Sequence, residues 1–291
     1  MDYLLHLVVV LSIYVILASS LDVLLGHGGV VSICHASFYG MGAYTSAIAA
    51  TRLGLPFVPT VLVAVIVSVL LCALITFPTV RLRDDYLVLG TLSIQVLLSS
   101  LFLNWQSVTR GAGGIAGIPP ASFFGFVFDT PRRFCFLSGA VCLIVLFLIH
   151  RLVTSPLGRL LHAVREDESV LAVAGKNSTV IKGVAFCFAG GLAALAGVLY
   201  GYYSSYVSPS SFGLMESVLI ASMVIIGGPG RILGAVLGAG LLVGFPELLR
   251  FLGLPDTIAA SSRQILYGLL LVIVMIVRPF GGILTARGGS R

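Results

Sequence analysis

The chain has 291 residues, of which 58% are hydrophobic and only 10% charged, with a net charge of +6. Soluble domains carry about 25% charged residues, so a water-soluble enzyme or carrier is excluded and an all-α polytopic membrane protein is expected. The five cysteines, Cys34, Cys72, Cys135, Cys142 and Cys187, show no CxxC or Cys/His metal spacing, so they read as small packing residues and no metal site is expected.

A spanning helix needs about 20 mostly apolar residues. Nine runs qualify in chain order: Tyr3–Leu21, Gly29–Thr51, Phe57–Val80, Tyr86–Asn104, Phe134–Val153, Val180–Tyr202, Phe212–Gly228, Ile232–Leu252 and Gln264–Arg278. The count is eight to ten, because the second run is Gly-rich and breakable, and only Pro229-Gly230 separates the seventh from the eighth. All of them belong to one transmembrane domain, residues 1–291.

The first run ends at Asp22, with His27 close enough to be its partner, and solvation at the interface is the simpler reading of that carboxylate. The second run carries Ser32, Ala36, Ser37, Gly40, Gly42 and Ala43, small residues that let backbones approach and let irregular backbone line a cavity. With His35 among them, Ser32, His35, Ser37, Gly40 and Gly42 are the candidate lining of a translocation pathway. A His hydrogen-bonded to a neighbouring helix is the competing reading. Arg81–Leu87 forms a short charged turn. The loop SVTRGAGGIAGIPPASFFG is expected to be a flexible lid or docking surface. It lacks the GxxxxGK[ST] pattern, so nucleotide binding there is rejected.

The densest run of charge, residues 155–183, lies between two apolar runs. Leu160, Leu161, Val164, Leu171 and Ala172 recur at roughly helical spacing, so an amphipathic helix is expected over Leu157–Ala174, stopped by Gly175. Such a helix lies on the membrane surface, either solvated or touching a partner. Beyond it, Gly197/Gly201, Gly234/Gly238 and Gly240/Gly244 form small-xxx-small pairs. The tyrosines Tyr200, Tyr202, Tyr203 and Tyr206 read as an aromatic belt.

With the charged central loop in the cytoplasm, Arg81, Arg83, Arg151, Arg159, Arg165, Lys176, Lys182, Arg231, Arg278, Arg287 and Arg291 lie inside. Arg52, Arg110, Arg132, Arg133, Arg250 and Arg263 lie outside. This bias sets the N-terminus outside and the C-terminus inside. It also accounts for the net positive charge, so no nucleic-acid partner is invoked.

Seven motifs carry a resemblance over nearly the whole chain: GHGGVVSICHASFYGMGAY, RLRDDYLVLGTL, TRGAGGIAGIPP, SPLGRLLHAVREDESVLAVAG, GGPGRILGAVLGA, PELLR (Pro246–Arg250) and RPFGGIL. In that order they resemble the permease subunits of branched-chain amino acid ABC importers, the M-type of the two paralogous permeases. The resemblance implies a cobalamin-importer-like fold in a bacterial inner membrane, with the N-terminus periplasmic and the C-terminus cytoplasmic. It implies four kinds of neighbour: a paralogous permease, two cytoplasmic ATPases, a periplasmic substrate-binding protein and the lipid bilayer. It implies no cofactor in this chain, since ATP is bound and hydrolysed by the partners.

On this reading the central run is a coupling element. Glu166 and Glu168, followed by small residues and Gly175, resemble a degenerate coupling motif. Arg165, Glu166, Asp167, Glu168 and Gly175 are the expected ATPase contact. The chain departs from the family pattern at Asp22, where Asn is usual, at His27, where an aromatic is usual, at Arg231, where a small hydroxyl residue is usual, and at Asp84, where Gly is usual. These departures leave urea or short amides open as substrates. Two other classes compete. An ion-driven secondary transporter needs paired midplane charges, yet among Asp22, Gln95, Glu216 and Glu247 only Gln95 maps toward mid-span. A membrane-embedded enzyme needs a nucleophile–base pair, and His35 stands alone.

Overall fold

The computed structural model describes residues 2–82, 85–123, 126–251 and 268. Helix α1 (Asp2–Asp22) sits at the centre because it is apolar on every side, and it runs on through a π-helical turn, Val23–His27. Of its apolar window 72% is buried, against 22% in both α3 (Phe57–Thr79) and α6 (Pro131–Thr154), which therefore lie at the periphery. Leu62, Ile66, Leu70 and Leu74 on α3, and Leu143, Ile144 and Phe147 on α6, point outward. A bilayer or another apolar partner must cover such faces.

After α1 the chain loses helix over residues 28–34 before α2 (His35–Arg52) begins. The expected fragility of the second run is thus a seven-residue break placed before the helix. Most of α2 is buried despite its polar composition. It packs on α9 (Ser178–Ser204), and the contact is made by missing side chains. A Cβ on Gly42 would strike the carbonyl of Ala194, and one on Gly197 would strike the carbonyl of Tyr39. Backbones this close gain dispersion contact without any polar bond, which is how small residues hold helices together in lipid.

Helix α4 (Asp85–Asn104) leads through a short helix α5 (Gln106–Thr109) into the long loop. The loop is packed, in contrast to the expected lid: Ile115, Ile118 and Ala121 are buried. Its strand β1 (Ile115–Ala116) pairs antiparallel with β4 (Tyr206–Val207), and β2 (Ser122–Phe123) pairs with β3 (Phe126–Val127). Helix α10 (Leu214–Gly227) has only 14 residues and falls just inside the expected seventh run, Phe212–Gly228, because Phe212 closes a 3₁₀ turn, Pro209–Phe212, and Gly213 is extended. At 1.5 Å per residue it spans roughly 21 Å, less than the hydrocarbon core. It packs on α11 (Ile232–Phe251), where Gly238 meets the carbonyl of Met223 and Gly234 meets that of Gly227. Apart from Gly268, the ninth run, Gln264–Arg278, lies outside the described residues, as does the terminal RPFGGIL. Among the described residues five helices are long and apolar enough to cross a membrane.

Internal contacts fix which ends share a face. His6 near the start of α1 bonds Tyr203 at the end of α9 (2.7 Å), and Arg52 donates to the carbonyls of Ser107 and Val108, both at 2.9 Å. The β1–β4 pair joins the same side. Arg165 reaches the end of α1 on the opposite side, together with the α10–α11 turn. Tyr200, Tyr202 and Tyr203 do not form the expected belt. They line a cavity, and only Tyr206 of the four is exposed.

Candidate functional site

The surface element departs from the single helix expected over Leu157–Ala174. Helix α7 (Pro156–Glu166) ends at Asp167, and α8 (Glu168–Val173) follows. Pro156 suits a first helical position, where its missing N–H is not needed, and Ser155 Oγ accepts from Gly158 N at 3.4 Å. Asp167 is extended, and its Oδ1 accepts from Ser169 N at 2.8 Å, so its side chain caps α8 rather than letting α7 continue. Gly175 sits at φ +69 in open space, and Lys176 N donates to Leu171 O at 2.9 Å, closing the helix end in the manner expected of a glycine stop.

Leu161, Val164 and Leu171 are buried and anchor the pair to the bundle. Arg159, His162, Glu166 and Asp167 face outward, with Val173, Ala174 and Lys176 beyond them. Val173 is 91% exposed, which marks it as an apolar point on an otherwise polar surface. Sequence reasoning missed it. Its signal was an aliphatic residue standing out of phase with the buried stripe of Leu161, Val164 and Leu171.

The five expected contact residues therefore separate. Glu166 and Asp167 are outward and Gly175 ends α8. Glu168 instead pairs with Lys182 of α9, whose side chain is 8% exposed, and accepts from Ser178 Oγ at 3.4 Å. Arg165 turns inward, where Nη1 donates to the carbonyl of Gly26.

Arg165 belongs to a junction at the end of α1. Gly29, at φ +64, lies against the Arg165 side chain, and a Cβ there would meet Arg165 Cγ at 2.8 Å. The His27 and His162 rings meet edge to face at 5.3 Å. Asp22 Oδ1 accepts from Gly230 N at 2.8 Å, in the turn between α10 and α11. His27 Nδ1 lies 3.3 Å from the Asp22 carbonyl and 3.6 Å from Asp22 Oδ2. Asp22 is thus bonded to a half-buried turn and is not a solvated interfacial carboxylate; it is 1% exposed.

The five candidate pathway residues are all buried or in helix contacts. Ser32 Oγ lies 3.3 Å from Cys34 Sγ, and His35 Nε2 lies 2.8 Å from Ser20 Oγ. Gly40 faces the Phe102 and Phe212 rings, and Gly42 faces Ala194. Ser37 bonds Gln95 on α4, which is 0% exposed. Gln95 Oε1 accepts from Ser37 N (3.1 Å), Ser37 Oγ (2.7 Å) and Ser217 Oγ (3.0 Å), while Nε2 donates to the Phe212 carbonyl at 2.8 Å. Ser217 Oγ in turn accepts from Ala36 N at 2.9 Å. The first N–H groups of α2 have no intrahelical partner, and water cannot serve them here. Gln95 and Ser217 serve them from two other helices. The sequence marked Gln95 only by its position within an apolar run.

None of those five residues borders the cavity lined by Tyr200, Tyr202 and Tyr203. That cavity, of about 650 Å³, opens on the face opposite α7 and is lined by His6, Tyr14, Tyr39, Phe134, Tyr200 and Tyr203 among others. Beside it Tyr14 OH donates to Glu216 Oε1 at 2.7 Å. Among the described residues no three His, Cys, Asp or Glu side chains gather as a metal cluster would.

Residues 3–275 match the family described as branched-chain amino acid transport system / permease component. The chain is 35% identical to the high-affinity branched-chain amino acid transport system permease protein LivM of Salmonella typhimurium and 34% identical to LivM of Escherichia coli. Each match covers 92% of this chain and 67% of the relative. It is 27% identical to the permease protein BraD of Pseudomonas aeruginosa, covering 93% of this chain and 91% of that one. No solved structure matches the chain significantly.

Proposed function

Since this chain belongs to the branched-chain amino acid transport permease family, we propose that it is the membrane-spanning permease subunit of an ATP-driven importer of branched-chain amino acids. It works beside a paralogous permease, two cytoplasmic ATPases and a periplasmic binding protein, and the ATPases bind and hydrolyse ATP. The α7 face is cytoplasmic and the N-terminus periplasmic, in the inner membrane of a bacterium. Its fold on this reading is that of a cobalamin-importer-like permease.

One observation carries the reading of this chain as the driven subunit. The exposed surface of α7 and α8 offers Glu166, Asp167 and Val173 to a partner, while its underside is bonded to the end of α1. A solvated loop helix needs no such attachment. The departures at Asp22, His27 and Arg231 cluster at or beside this junction and away from the cavity, so they bear on coupling and give no ground for a urea or amide substrate.

The test is uptake of radiolabelled leucine, isoleucine and valine into proteoliposomes. Uptake is expected only with both permeases, the ATPases, ATP and the loaded binding protein. Uptake by this chain alone under an ion gradient overturns the proposal in favour of a secondary transporter.

A further inference from the structure

The junction at the end of α1 joins three segments far apart in sequence: the surface helix α7, the start of the α1–α2 break and the α10–α11 turn. Each connection is a single directional bond. Arg165 donates to the Gly26 carbonyl, and Asp22 Oδ1 accepts from Gly230 N at 2.8 Å. The segments approach so closely that a Cβ on Gly26 would collide with both Asp22 Oδ1 and Gly230 N. Gly230 itself holds φ +85, a conformation that favours glycine. Its nearest side-chain atom is Arg165 Nη1, 3.3 Å from where a Cβ would stand.

Burying a carboxylate is costly unless it is paired and hydrogen-bonded. Asp22 has Arg165 as a positive neighbour and the His27 ring 3.6 Å from Oδ2, yet Oδ2 accepts no hydrogen bond among the described residues. A stability-driven design would satisfy both oxygens or use a neutral residue. Asp22 instead spends its one bond on a turn that no other described side chain holds.

We infer that Asp22 is a positioning residue of the transport cycle: it ties the α10–α11 turn to the end of α1, so that movement of α7, transmitted through Arg165, carries both segments together. This rests on the proposed ATP-driven function. Displacement of α7 pulls on the Gly26 carbonyl in the π-helical turn just before the break. The break leads directly into α2, whose first N–H groups are held by Gln95 and Ser217. Through Asp22 the same displacement reaches α10, which carries Ser217 and Glu216. Motion of one surface helix is thereby shared by α1, α2, α10 and α11.

The complete importer in proteoliposomes tests this with Asp22→Ala and Asp22→Asn. The amide oxygen of Asn can still accept from Gly230 N, whereas Ala cannot. Asp22→Ala is expected to retain ATPase co-purification within twofold, while ATPase stimulation by loaded binding protein and leucine uptake fall at least tenfold. Asp22→Asn is expected to restore both to within threefold of wild type. Full stimulation and uptake in Asp22→Ala overturn the inference, as does equal loss in the two variants. If Asp22→Ala does not accumulate, Arg165→Met takes its place, since it removes the donor to the Gly26 carbonyl through which α7 is held to the end of α1, and unimpaired coupling in that variant is equally fatal. If wild type neither binds the ATPase nor needs it for uptake, the proposed function fails first, and that outcome is visible before any variant is made.

Discussion

The α2–α9 seam and the α7 junction hold helices together by opposite means. In the seam, Gly42 meets the Ala194 backbone and Gly197 meets that of Tyr39, with no side chain between them. Such a contact has many weak atom pairs and no alternative geometry, so it cannot shift without separating the helices. At the junction, Arg165 and Asp22 make single bonds across three segments. A few directional bonds on long side chains can re-form after a movement. The seam is therefore the fixed part of the molecule, and the junction is the part through which force can enter.

The largest effect should come from breaking the seam. Overpacking a core costs about 1–3 kcal/mol and occasionally more, and here the obstruction is backbone that cannot yield. Gly42→Val or Gly197→Val should lower the abundance of membrane-inserted subunit about tenfold or more, read by quantitative immunoblot of membranes. Gly240→Ala, where no atom lies within 4 Å of the added Cβ, should leave abundance unchanged. Equal loss in all three variants removes the distinction between filled and open glycine stripes.

Next is the polar pin that holds the start of α2. Gln95→Leu strips the acceptor from two hydroxyls and from Ser37 N, and each buried donor left unpaired costs about 1–3 kcal/mol. The purified subunit should lose roughly 5 °C or more in Tm. Ser37→Ala should cost less, since interhelical bonds in membranes average about 0.6 kcal/mol. A larger loss for Ser37→Ala than for Gln95→Leu would show that Gln95 is not the centre of the network.

The surface pair supplies a sharper contrast between neighbours. Glu168→Lys sets a like charge against the buried Lys182, so it should reduce abundance several-fold. Glu166→Lys is exposed and should leave abundance unchanged while weakening ATPase co-purification. Reversing both at once would confuse these effects. Matching phenotypes from the two single variants contradict the separation.

The smallest effect belongs to Asp129 and Arg133, an i,i+4 pair at 3.2 Å with both side chains more than half exposed. Asp129→Ala should change stability by less than about 0.5 kcal/mol. A larger change in a chemical-denaturation series would show that the exposed pair does more than its solvation allows.

Much of this was legible in the sequence. Apolar runs located α3, α4, α6 and α9 to within a few residues, because a bilayer imposes length and composition on any helix that crosses it. Gly175 was legible for a local reason, its left-handed backbone at a helix end. The division at Asp167 was not, because Arg165-Glu-Asp-Glu168 is compatible with one helix and the outcome turned on a single bond from Ser169 N. The inward turn of Arg165 and Glu168 depended on partners 139 and 14 residues away, which periodicity does not encode. The helix contacts made by Ser32, His35, Ser37, Gly40 and Gly42 were not legible. A composition that tolerates irregular backbone also tolerates the closest packing.

Whether an ATPase drives this subunit is decided by what touches the outer surface of α7 and α8. A photoreactive amino acid placed at Val173 in the assembled importer, and separately at Leu237 on the exposed side of α11, reads this by mass spectrometry of the crosslinked products. The account predicts an ATPase adduct from position 173 and none from position 237. An ATPase adduct absent from 173 but present at 237 would contradict it.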